Sequence, residues 1–241
     1  MLLSLSASYS FAQDPGAVPA PPPPPPWTGA AQVSFLSTAG NTDTSVLGVG
    51  GEARYKGVSP WSLGAKTALN RGSVSGKQNL SNFMAALRAG RSLNDRTEFF
   101  VETGYAKDTY AGIDSRYGGE LGIARKLSIA EPHLLAVEAG LGLAHEVRLP
   151  KKTTKDFATA RGGLVYKYVI SKTADFQEQS NVTLNLSDSK DWRWTNVAAL
   201  TAALSSRFSI KVSHTLSRLN TPPAGKKKSD TAVAAALVAK F

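Results

Sequence analysis

Proline placement constrains this chain more than any other feature. Of its 13 prolines, eight lie in residues 15–26, and the other five are Pro60, Pro132, Pro150, Pro222 and Pro223. Each of those five falls in a gap between segments in which apolar residues alternate with polar or small ones. Proline cannot donate to a sheet ladder and is kept out of strand interiors. Residues 27–241 therefore read as strands joined at the gaps. The final stretch shows the pattern most plainly. Thr231, Val233, Ala235, Leu237, Ala239 and Phe241 form one set of positions. Asp230, Ala232, Ala234, Ala236, Val238 and Lys240 form the other. Side chains on a strand face opposite sides with a period of two, so one face of this stretch is apolar and ends in an aromatic.

Twelve such segments are predicted. They are 28–37, 44–56, 61–71, 80–92, 96–107 and 115–127, then 134–146, 156–170, 174–187, 191–204, 207–219 and 229–241. The connections are expected to alternate in length. Long polar ones are Thr38–Asp43, Gly72–Asn79, Asp108–Asp114, Val147–Lys155 and Asn220–Lys228. Tight ones are Gly57–Pro60, Leu93–Asp95, Ser128–His133, Ser171–Thr173 and Ser205–Ser206.

No run approaches the roughly 18–20 apolar residues of a spanning helix. Spanning strands need only about 9–11 alternating residues each. In hydrocarbon every backbone polar group needs an internal partner, so such a sheet must close on itself. The expected fold is all-β: a closed antiparallel transmembrane β-barrel of about 12 strands. Outer-membrane barrels have long outer loops and short periplasmic turns, which puts both termini on the periplasmic side. Trp27, Trp61, Trp192, Trp194, Tyr55, Tyr105, Tyr117, Tyr166, Tyr168 and Phe241 lie towards strand ends, where aromatic girdles belong. Phe241 is expected to close the barrel.

Ahead of the barrel, residues 1–12 read as a signal-peptide remnant, with Ser10-Phe11-Ala12 as the cleavage site. Residues 13–26 read as an extended proline-rich linker. The chain has no Cys, which excludes a disulfide framework and a thiolate metal site.

Three stretches carry a family resemblance. They are Gly40–Asp43 (GNTD), Asp108–Arg116 (DTYAGIDSR) and Leu219–Asp230 (LNTPPAGKKKSD), the last leading into a strand that ends Lys240-Phe241. Together they resemble the DUF481 family, described as salt-induced outer-membrane proteins, over about Trp27 to Phe241. The resemblance implies an outer-membrane barrel of a Gram-negative bacterium with a link to salt or osmotic stress. It implies no functional residues.

The formal charge is +10. Arg or Lys on the lipid face costs about 2–4 kcal/mol at the midplane, so mid-strand charges are expected to face the lumen. The bases are Arg54, Lys66, Arg88, Arg116, Arg161, Lys167, Arg193 and Lys211. The acids are Glu52, Glu98, Glu102, Glu120, Glu138 and Glu178. Two readings of that lumen stand: Arg–Glu networks that fill it, or a narrow channel whose basic excess favours anions such as acidic sugars. Lys77, Lys107, Arg148, Lys151, Lys152, Lys155, Lys190, Arg218, Lys226, Lys227 and Lys228 lie near the expected loops. They would give a positive rim for anionic solutes or lipopolysaccharide phosphates.

A third reading is a lipid hydrolase, with His214 near Ser213 and Ser217. The His-x-Ser-Asn-Gly pattern of outer-membrane phospholipases is absent, because Thr215, Leu216, Ser217 and Arg218 follow His214. No enzyme activity, cofactor, metal or nucleic acid is expected. The expected partners are outer-membrane lipid, lipopolysaccharide, the barrel-insertion machinery through the last strand, and small anionic solutes.

Overall fold

The computed structural model describes residues 26–38, 44–56, 60–222 and 227–241. The signal-peptide remnant, nearly all of the linker, the 39–43 loop and Lys226 lie outside them. Twelve strands form. They are β1 (Trp27–Thr38), β2 (Thr44–Lys56), β3 (Trp61–Val74), β4 (Lys77–Ser92), β5 (Thr97–Asp108) and β6 (Ile113–Ser128), then β7 (His133–Arg148), β8 (Thr153–Val169), β9 (Ala174–Asn185), β10 (Trp192–Ala203), β11 (Phe208–Leu219) and β12 (Ser229–Lys240). Each strand pairs with its chain neighbours, and β12 returns to β1 to close the barrel. At the seam Ala30–Ser34 run antiparallel to Ala236–Lys240. Phe241 adds two backbone bonds beyond them: its N–H donates to Gly29 O at 3.0 Å, and Gly29 N–H donates to Phe241 O at 2.8 Å. Gly29 also seats the Phe241 ring, because a Cβ there would stand 2.5 Å from it.

The barrel is inside-out relative to a soluble protein. Among the described residues, the buried apolar set is only Phe100, Ala144, Phe157, Ala199 and Val238. Val33, Leu47, Leu63, Leu87, Val101, Leu121, Leu141 and Val212 all lie exposed. They occupy one parity along their strands, and the registers place them side by side around the outer wall. A continuous apolar belt of this extent fits lipid and no aqueous surface.

Aromatics edge the belt. Trp27 packs on Tyr55 with ring centroids 4.9 Å apart, and His133 stacks on Tyr166 and Tyr168, both at the end that carries the termini. Tyr105 lies between Phe83 and Tyr117 at the other end, called here the far end.

The connections differ from expectation. Gly72–Asn79 is not a loop. The ladder runs on to Val74 opposite Lys77, and the chain reverses through Ser75 and Gly76, whose φ values are 48° and 74°. Two positive φ values are what a two-residue hairpin turn needs. Val147–Lys155 likewise shrinks to residues 149–152, because Arg148 pairs with Thr153. Ser, Gly and Lys read as loop composition, yet cross-strand pairing extends these ladders beyond what a membrane requires. As a result β4, β6 and β7 have 16 residues and β8 has 17, whereas β9 to β12 have 12 each. The expected contrast of long and short connections is correspondingly weak.

Candidate functional site

Alternation along each strand places thirteen of the charged residues named above on the inner wall: Glu52, Arg54, Lys66, Arg88, Glu98, Glu102, Arg116, Glu120, Glu138, Arg161, Lys167, Arg193 and Lys211. Several of their contacts bridge strands that are not neighbours, which only the interior permits. Arg88 on β4 donates from Nη1 to Glu138 Oε2 on β7 at 2.8 Å, and from Nη2 to Glu98 Oε1 at 3.2 Å. Arg161 on β8 donates from Nε to both oxygens of Glu120, at 2.7 and 2.9 Å. Its Nη1 donates to Glu138 Oε1 at 2.9 Å and to Asn181 at 3.1 Å. Glu138 therefore lies between two guanidinium groups. Lys66 reaches Glu102 at 3.2 Å. Planar guanidinium groups suit such forked pairing with carboxylates.

Phe100, which is fully buried, underlies this network. The Arg88 Cζ lies 3.7 Å from its ring centroid and that of Arg161 lies 5.7 Å away, a cation–π arrangement. Gly122 makes room for the ring: a Cβ there would stand 2.6 Å from Phe100 Cζ. Phe100 shares its parity with Glu98 and Glu102, so the sequence carried the signal that it points inward.

A second network lies at the far end. Glu146 has no exposed surface. It accepts from Arg148 Nε, and from Arg193 Nη2 at 2.6 Å, and Arg116 Nε stands 3.8 Å from it. Arg148 Nη2 also donates to Asp191 Oδ2 at 2.8 Å, and Nη1 to Thr221 O at 3.2 Å. Asn220 Nδ2 and Thr221 Oγ1 both donate to Lys190 O. The β9–β10 turn and the start of the β11–β12 connection are thus tied to one inward arginine. Arg148, expected on the positive rim, is buried in this cluster. Glu146 and Asp191 were not among the predicted lumen charges. Glu146 shares its parity with Glu138, which was the available signal.

The rest of the lumen is different. β12 presents Ala232, Ala234 and Ala236 inward, β11 presents Ser209, Lys211 and Ser213, and β1 presents Gln32 and Ser34. Glu52, Arg54 and Lys211 have no ion-pair partner among the described residues. Lys167 pairs with Asp175 at 3.4 Å. A cavity of about 350 Å³ lies between the two networks, lined by Lys66, Glu102, Arg116, Glu120, Thr159 and Thr183.

One expectation needs correction. Glu178 does not face the lumen. It is level with Tyr166 on β8 and Ala198 on β10, on the parity of the exposed Val182 and Leu184. His214 faces outward beside Val212, whereas Ser213 and Ser217 face inward. No His–Ser pair forms on that strand, and no group of three or more His, Asp or Glu able to hold a metal occurs among the described residues.

Closure, the apolar belt and the polar lumen define a membrane-spanning β-barrel of the outer-membrane class. The chain belongs to DUF481, a family of proteins of unknown function whose model matches residues 31–241. Two solved structures share the fold. One is an outer-membrane channel of Pseudomonas putida F1, at 12% identity and TM-score 0.57, covering 95% of this chain and all of that one. The other is the NanC porin, at 10% identity and TM-score 0.54, covering 88% of this chain and 98% of that one. The first is a channel of the outer membrane, the location read for this chain from its sequence. No curated protein sequence matches the chain.

Proposed function

We propose that the protein is a narrow, passive pore of the outer membrane, with its conducting lane along the small-residue side of the lumen. The observation that carries this is the one-sided distribution of charged and small side chains in the barrel. The guanidinium–carboxylate networks occupy the side from β4 to β10, while β11, β12, β1 and β2 line the lumen with Ala, Ser, Gly and Gln. Arg54 and Lys211, against Glu52 alone, give that lane a weak preference for small anions. The far-end cluster of Glu146, Arg148 and Asp191 is the constriction. Exposed Lys77, Lys151, Lys155, Lys190, Lys227 and Lys228 suit lipopolysaccharide phosphates if the far end faces outward.

Single-channel recording of the refolded protein in planar bilayers, under a salt gradient, tests this reading. Small discrete openings with a reversal potential on the anion side are expected. A correctly folded but silent barrel would refute the pore and favour an envelope-stabilising role with a sealed lumen, which the tie from Arg148 to Asp191 and Thr221 would then explain.

A further inference from the structure

The outer wall carries an anomaly on β9 to β11. Along β9 the outward positions run Phe176, Glu178, Ser180, Val182, Leu184, so a carboxylate sits on the outer wall, level with Tyr166 where the apolar belt begins. Along β11 they run Phe208, Ile210, Val212, His214, Leu216, so an imidazole does too. The registers make these two level with each other: Ala198 on β10 pairs with Glu178 on one side and with His214 on the other. Other ionisable outward residues, such as Arg91, Arg125, His145 and Arg218, lie near strand ends. Polar groups gather round Glu178. Asn196 Nδ2 donates to Glu178 Oε1 at 2.8 Å, and Trp194 Nε1 donates to Ser180 Oγ at 2.8 Å. Elsewhere on the wall, outward hydroxyls turn back to the sheet, as Thr67 and Thr103 do by donating to backbone carbonyls of Met84 and Gly118. Glu178 keeps only that bond from Asn196 and His214 has no hydrogen bond or ion pair among the described residues, and lipid tails offer the remaining carboxylate oxygen and the imidazole no partner.

We propose that this wall is an interface between two copies of the chain, in which Glu178 of each copy meets His214 of the other. The arrangement is self-complementary. An acid and a base flank Ala198, so a two-fold axis along the membrane normal at Ala198 sets each acid towards the opposite base. A two-fold interface requires that relation of a single patch to itself. The small outward side chain of Ala198 lets the two walls approach at the axis. Docking removes the carboxylate and the imidazole from hydrocarbon together.

The chain has no Cys, which makes the test direct. Ala198→Cys places one thiol on the proposed axis, and Leu121→Cys places one mid-wall on β6, away from it. Each full-length variant, folded in outer-membrane vesicles as judged by heat-modifiable gel mobility, is treated with a short bis-maleimide. A dimer of twice the chain mass from Ala198→Cys and none from Leu121→Cys is expected. Adding Glu178→Ala to Ala198→Cys should cut that dimer about tenfold, the equivalent of one lost polar contact. The exchange of Glu178→His with His214→Glu should restore it. No dimer from Ala198→Cys, an equal yield from Leu121→Cys, or a cross-link to a protein of another mass would overturn the second copy as occupant. A dimer indifferent to Glu178→Ala would overturn the Glu–His contact.

Discussion

The two sides of this lumen are built from the same alternating pattern, yet they are held by different forces. On β4 to β10 the inward positions carry Arg and Glu, which reach across several strands and lock the interior. On β11, β12, β1 and β2 they carry mostly Ala, Ser, Gly and Gln, with Glu52, Arg54 and Lys211 among them but in no ion pair among the described residues. The first side is a polar core. The second is a wall that relies on its backbone ladder and on the lipid-facing apolar belt. In such a barrel the interior can be specialised by sector, with rigidity assigned to one arc and passage to another.

That contrast is sharpest at Glu146. Glu146→Ala leaves Arg116, Arg148 and Arg193 facing one another without their shared carboxylate, and should destabilise the barrel by about 3–5 kcal/mol, as breaking a buried pair does. Urea unfolding from lipid vesicles measures it. Gly122→Val fills the seat of the Phe100 ring and should cost about 1–3 kcal/mol by overpacking, in the same assay. On the other side Ser34→Ala should stay within about 0.5 kcal/mol. A loss there as large as that of Glu146→Ala would break the comparison. Arg54→Glu should leave stability similarly unchanged while moving the reversal potential towards cations, because it inverts one of the few unpaired charges in the lane.

Most of the scaffold was legible in the sequence because strand formation is a local matter of alternation and proline exclusion. All twelve strands fall in the predicted order, and the terminal aromatic strand closes against β1. Loop length was less legible. Gly72, Ser73 and Gly76 look like a connection, but pairing with β4 carries β3 to Val74. Glu178 was misplaced for an instructive reason. Counting back by twos from Val182 and Leu184 puts it outside. The cost of a charge in lipid argues for the inside, but the local phase of the strand decides. The far-end cluster was only partly legible: the parity of Glu146, Arg116 and Arg193 points them inward, but Arg148 at the end of β7, Asp191 and Thr221 come from distant parts of the chain, and only closure of the barrel brings them together.

The central claim is that ions pass along the small-residue side. The direct measurement is current through Ala234→Cys and Ala144→Cys channels before and after a cationic methanethiosulfonate reagent. Ala234 lines the proposed lane, whereas Ala144 is buried on β7 between the two networks. Stepwise loss of current in Ala234→Cys, with Ala144→Cys unaffected, is the predicted result. Block in Ala144→Cys with none in Ala234→Cys would place the path through the charged side and contradict the account.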